Sequence, residues 1–364
     1  MELNELIHQA QEAMDQGDYR RAAAACAHAL GAYPTCLSAH RLLGESCLEQ
    51  GEVERATEHF ERTLTLDPLN VVARLGLGVA CEERGDPRGA YTNYLRAWDL
   101  NPALDQIRDE LVRLRAALGT GGRLHLTRAG LASTYLRGGQ FGRAAAEWRA
   151  VLAAEPEGDR ARLALAEVLW RQGDEAGAAA ACRELLRGAP ENARALAILA
   201  AIELRRGEES GRFTAERYRT TDPAGDVVAL LRAVRPDVDF AALTQPAPLA
   251  DFVYEETAPE PAAVDAAELV GNHHAGAGAL GVGHIPAPDL WDSVVRDLGP
   301  MPFVPETAAE PALDVVPFAW ADGAATAELS APVPPVDGLA GRHPADPRPG
   351  RGKSPRHLNS STTC

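Results

Sequence analysis

Along residues 37–66, apolar side chains at Leu43, Cys47 and Leu48, then at Ala56, Phe60, Leu64 and Leu66, recur every three to four positions and give each of two helices one apolar face. Gly51 separates the helices as a residue able to take positive φ, and Pro68, which lacks an N–H, ends the second. Neither helix can bury its stripe alone, so a neighbouring unit must cover it. The pattern returns along the chain: Pro34, Pro68 and Pro102 stand 34 residues apart, and Pro156 and Pro190 repeat the interval. A glycine lies 17 residues before each proline, at Gly17, Gly51, Gly85, Gly139 and Gly173. Five residues after each glycine comes alanine, at Ala22, Ala56, Ala90, Ala144 and Ala178. A fixed period of this length predicts stacked helix pairs.

Ala10, Gly44, Gly78, Ala132 and Ala166 keep one first-helix position small, and Leu43, Leu77, Leu131 and Leu165 precede all but the first of them. Cys26, Phe60, Tyr94, Trp148 and Cys182 hold a second-helix position. In these features the chain resembles the tetratricopeptide repeat family, which prefers a large aromatic at the last of those sites. The resemblance implies an all-α fold, a helix-turn-helix solenoid wound as a right-handed superhelix with first helices on the inner wall. His40, Arg74, Arg128 and Arg162 depart from the family, standing where it prefers a bulky aromatic. An arginine stem can lie over apolar surface there with its head in water.

The period breaks at residues 103–118, where one extra amphipathic helix carries Leu104, Ile107, Leu111, Leu114 and Leu118. An unpaired helix changes the parity of the stack, and the glycine-rich run 119–122 follows as a hinge. Two blocks are therefore expected, 1–118 with three repeats and the extra helix, and 123–235 with two good repeats. The second block ends in a degenerate sixth repeat and a capping helix at 226–234. From Pro236 the composition shifts, with 19 of the 26 prolines in residues 236–364. Such a segment buries too little apolar surface to offset its ordering entropy, which predicts a long disordered tail. Islands at 240–256, 289–299 and 315–322 mix aromatic and aliphatic side chains with acids, as segments that fold on a partner do.

Charge separates these regions further. Residues 1–235 carry 30 arginines against 34 acids, 236–341 carry 1 against 17, and 342–364 carry 5 cations against 1 acid, within a net charge of -16. That balance argues against nucleic acid as a partner. The start of the chain lacks a cationic, apolar leader and no stretch is long and apolar enough for membrane insertion, so a cytoplasmic location is expected. Six cysteines without CxxC spacing are expected to be reduced thiols, Cys47 and Cys81 as small core residues.

No cofactor, metal or catalytic centre is expected. Gly276, Gly278 and Gly281 match GxGxxG without a preceding strand. Gly352, Lys353 and Ser354 match the end of a phosphate loop whose first glycine is replaced by Pro347. His273, His274 and His284 sit in a glycine-rich run that offers nothing to orient them on a metal. The informative surface is the inner wall that the family resemblance implies. In the first block it is mostly acidic, with Asp15, Glu45, Glu49, Glu82 and Glu83 beside Arg41. In the second it is mostly basic, with Arg137, Arg160, Arg171, Arg194 and Arg205 and one acid, Glu167, beside the aromatic surface of Trp170.

Charged helix faces are ordinarily just solvated, but this arginine wall is also suited to an acidic peptide. The expectation is thus a non-enzymatic scaffold or adaptor that binds a protein or peptide in its repeat grooves. Residues 236–341 would dock there intramolecularly and compete with an outside ligand. The alternative is a regulator whose tail motifs bind a larger complex while the repeats form a structural or self-associating platform.

Overall fold

In the computed structural model, which describes residues 1–120 and 123–254, helices pair in sequence as the period requires. The first block comprises α1 (Leu3–Asp15), α2 (Tyr19–Ala32), α3 (Leu37–Glu49), α4 (Val53–Leu66), α5 (Val71–Glu83) and α6 (Pro87–Leu100), followed by the extra helix α7 (Asp105–Ala117). The second comprises α8 (Arg128–Arg137), α9 (Phe141–Ala154), α10 (Asp159–Gln172), α11 (Glu175–Gly188), α12 (Ala193–Arg205) and α13 (Ser210–Thr221), then the capping helix α14 (Asp226–Val234). Each helix of a pair packs on its partner, and α3 also touches α1 and α5, as α10 touches α12.

The local causes are those read from the sequence. The turn glycines take positive φ, 74° at Gly51, which an L side chain rarely adopts. Asn70, Asp86, Asp174 and Asn192 accept backbone N–H bonds at the starts of α5, α6, α11 and α12, satisfying donors the helix leaves over. At Gly78 a Cβ would lie 2.2 Å from the Tyr94 ring, so only glycine lets α6 approach α5 this closely. Phe60, Tyr94 and Trp148 fill the aromatic position and are buried, as are Cys26 and Cys182 in the other two copies.

The extra helix redirects the stack. α6 packs on both α7 and α8, so the second block leaves from the side of α6 instead of continuing the first row. Leu37 and Leu66 of the first block then join the apolar core of the second. All described residues belong to one compact unit, Met1–Thr307, while the other unit, Ala308–Cys364, lies outside them.

Ordered contacts also continue past the expected boundary at 235. Phe240, in front of a 3-10 turn at Ala241–Leu243, and Leu243 are buried, and Ala247 enters the core of the first block. The chain then runs along α1, where Leu3 N donates to Ala247 O at 2.8 Å and Leu249 N to Met1 O at 2.8 Å. The first tail island is thus packed as far as residue 254, because its apolar residues reach surface that α1, α2 and α10 leave available. The islands at 289–299 and 315–322, Gly276 and its neighbours, His273, His274, His284 and the 352–354 run lie outside the described residues.

Candidate functional site

The arginine wall of the second block meets the turn edge of the first, where α4 and α6 end. Arg194, in the first turn of α12, lies across the C-terminus of α4. Its Nε and Nη2 donate to the two Asp67 oxygens at 3.0 and 2.7 Å, and its Nη1 donates to Glu167 at 3.0 Å. Asp67 is 1% exposed and Arg194 9%. Burial pulls the guanidinium pKa down, but Asp67 and then Glu167 more than reverse it, so the net shift is upward. Beside it, Arg62 of α4 donates to Glu191 at 2.8 Å. This first rung of the seam is a charge network with every buried oxygen and guanidinium engaged.

Arg160 stands 34 residues before Arg194, at the same place on α10, and faces the end of α6. Its Nη1 comes only to 3.6 Å from the Asp99 carboxylate, which the Thr127 hydroxyl also engages. Here burial wins on both sides: it lowers the Arg160 pKa and raises that of Asp99 against the attraction between them. Arg137 donates to Asn101 at 2.9 Å. Asn101 is the repeat equivalent of Asp67, so this second rung has a neutral amide where the first has a carboxylate.

The remaining wall residues have internal contacts of their own. Trp170 is 1% exposed, with the Phe240 ring edge-on at 6.2 Å and the Arg235 guanidinium 5.1 Å above it. Arg171 pairs with Glu167 at 3.6 Å and lies over the Phe141 ring. Arg205 meets Glu175 and keeps about half of its side chain exposed. The structure therefore brings Arg160, Arg171 and Arg194 together with carboxylates of the chain itself, puts Trp170 beneath the segment after α14, and leaves Arg205 at the rim.

Sequence reasoning placed these side chains on one wall but missed what faces them. Asp67 and Asn101, each one residue before a period-marking proline, were the signal available. The acidic wall of the first block is also internally paired, Glu45 with Arg41 and Glu82 with Arg113 and the Tyr94 hydroxyl. Among the described residues no group of three or more His, Cys, Asp or Glu side chains could hold a metal ion, and no helix is long and apolar enough to cross a membrane.

A stack of helix pairs offering long walls of side chains defines a helical repeat protein. The family model for the tetratricopeptide repeat matches residues 8–71, 48–104 and 130–193, and the chain belongs to that family. Such repeats mediate protein–protein contacts, typically without catalysis. No curated protein matches the chain. Among solved structures, PilF of Pseudomonas aeruginosa is 15% identical, with 64% of this chain and 96% of that one covered at a TM-score of 0.30. The type IV pilus biogenesis factor PilW is 20% identical, covering 63% and 98% at a TM-score of 0.29. A thermophilic tetratricopeptide repeat protein of Thermus thermophilus is 20% identical, covering 56% and 99% at a TM-score of 0.29.

Proposed function

We propose that this chain is a non-enzymatic adaptor whose second repeat block recognises an acidic segment of a partner protein. The observation that carries the reading is the pairing of Arg160 and Arg194, equivalent residues one repeat apart, with carboxylates at the ends of α6 and α4. A wall that selects carboxylates from its own chain has the chemistry to select them from another. Its resident partners are covalently tethered and hence at high effective concentration, so an outside segment must compete with them. Residues 236–341, with 17 acids, are a second internal competitor, and their first stretch already lies over Trp170 through Phe240. Five cysteines, Cys26, Cys36, Cys47, Cys81 and Cys182, are free and buried, which is consistent with the reducing cytoplasm as the place of work.

The test is a cross-linked pull-down from the native cell with the full chain and with the Arg160→Glu, Arg194→Glu double variant, its folding checked by circular dichroism. The variant should lose the partners that the parent recovers. An unchanged partner set would remove the arginine wall from the reading. Deleting residues 255–364 should raise capture through this wall, and equal capture would remove the tail as a competitor.

A further inference from the structure

The 34-residue period allows the two rungs to be compared position by position. Arg96 stands on α6 where Arg62 stands on α4, and Arg74 on α5 where His40 stands on α3. In the first rung His40 touches His59 at 3.1 Å and Pro34 O at 2.9 Å, and Arg62 is paired with Glu191. In the second rung Glu157 stands where Glu191 stands in the first, but no ion pair joins it to Arg96. Arg96 is exposed and makes no ion pair or hydrogen bond among the described residues. The Arg74 Nε is buried without an acceptor, and the Arg160 Nη1 is buried with no hydrogen bond, only the 3.6 Å approach to Asp99.

These cations share one locality. Arg96 and Asp99 are three residues apart on one face of α6, Arg160 reaches that face through Asp99, and Arg74 lies on α5, which packs on α6, within the fields of Arg96 and Arg160. Burial, then Arg96, then Arg160 push the Arg74 guanidinium down to about 10. The negative charges nearest the group include Asp99, already engaged by Thr127, Glu155, an exposed residue whose field reaches Arg160, and exposed Glu157 at the repeat equivalent of Glu191.

We propose that Arg74, Arg96 and Arg160 form an anion-binding site that takes a side-chain carboxylate of an acidic protein segment. A carboxylate is the ligand because in the equivalent rung carboxylates, Asp67 and Glu191, satisfy the arginines. Guanidinium forks match a carboxylate through paired N–H donors, and exposed Arg96 marks the side from which it enters. The site rests on the adaptor reading and adds to it a defined anchor outside the Arg194 network.

Isothermal titration calorimetry of the full chain at low ionic strength tests it, with a hexaglutamate peptide in one arm and inorganic phosphate in the other. Hexaglutamate should bind saturably, and Arg96→Gln and Arg74→Gln should each weaken it about tenfold or more. Arg62→Gln, in the satisfied rung, should leave binding within about twofold. Arg96 is exposed and holds no ion pair or hydrogen bond among the described residues, so its variant decides the matter even if Arg74→Gln fails to fold. Absence of hexaglutamate binding, or equal losses in Arg62→Gln and Arg96→Gln, overturns the proposal. Binding of phosphate without hexaglutamate overturns it too, and reassigns the cluster to a small oxyanion. Any of these failures leaves the adaptor reading to be judged by a pull-down with Arg194→Glu alone, which changes no residue of this site.

Discussion

The rung formed by Asp67 and Arg194 and the rung formed by Asp99 and Arg160 are built from the same residue types on equivalent helices, yet their electrostatics have opposite outcomes. In the first, two-pronged contact at 2.7 and 3.0 Å outweighs the cost of burying the guanidinium. In the second, a single 3.6 Å approach does not, and burial drives both partners toward their neutral forms. The two copies differ at the partner positions: Asn101 stands where the preceding copy has Asp67, and Asp99 where it has Thr65. A seam of buried charges is therefore stabilising at one rung and strained for charge at the next, and the second is where an external anion has most to offer.

Breaking the first rung should have the largest effect. Asp67→Ala leaves Arg194 buried with Glu167 alone, and removing one partner of a buried pair costs about 3–5 kcal/mol. Chemical denaturation of the full chain reads this directly, and a loss comparable to that of an exposed pair would mean that the two blocks are not held by this network. Next comes Gly78→Ala in the repeat that carries the second rung, where the added methyl meets the Tyr94 ring; overpacking of this kind costs about 1–3 kcal/mol. Gly44→Ala, whose methyl would lie 2.8 Å from Phe60, should cost less, and the reverse order of melting temperatures would contradict the tighter packing of α5 on α6.

Asn101→Asp should then convert the second rung toward the first, adding about 1 kcal/mol of stability as Arg137 gains a charged acceptor. It should also weaken hexaglutamate binding, since it adds a negative charge to the rung. The smallest effect is on pH dependence. His40 and His59 are both held below the ordinary value of 6.5 by burial, with Arg62 adding to the shift at His40 and the His40–His59 contact at His59. The unfolded chain therefore takes up protons first, and the stability contributed by the neutral pair is lost as the pH falls below 6.5. Asp222 works the other way, because burial and Asp226 lift its carboxyl to about 7, so its protonation favours the fold. Comparing denaturation midpoints of the parent and His59→Gln between about pH 7.5 and 5.5 isolates the histidines, and a parallel pair of curves would exclude them.

The repeat frame was legible because its causes are local. Positive φ at Gly51, the absent N–H of Pro68 and the close approach at Gly78 act within one helix pair, so they appear in the sequence at a fixed interval. Even the sixth repeat, whose second helix lacks the alanine, keeps a positive-φ glycine at Gly207, 34 residues after Gly173. The capping helix falls at 226–234 as its apolar run requires. The site was half legible. The family resemblance put Arg160 and Arg194 on one wall, but Asp99 and Asp67 come from 61 and 127 positions away, where no sequence interval connects them. Composition likewise set the tail boundary at Pro236, whereas Phe240 and Ala247 are buried because distant helices provide their cover.

The pairing of Glu2 with Pro248 has a further consequence, for folding. An ordinary helical solenoid unravels from its ends, since a terminal repeat touches one neighbour only and its loss leaves the others intact. Here the first helix is clasped by the segment that follows the last one, and Thr35 and Ser38 reach across to Thr220 and Asp226. A repeat array latched in this way has its first helix and the segment after its last one held together, so its repeats should melt as one cooperative body. The closing contacts, more than 180 residues apart in sequence, should make its folding slower than that of an unlatched array.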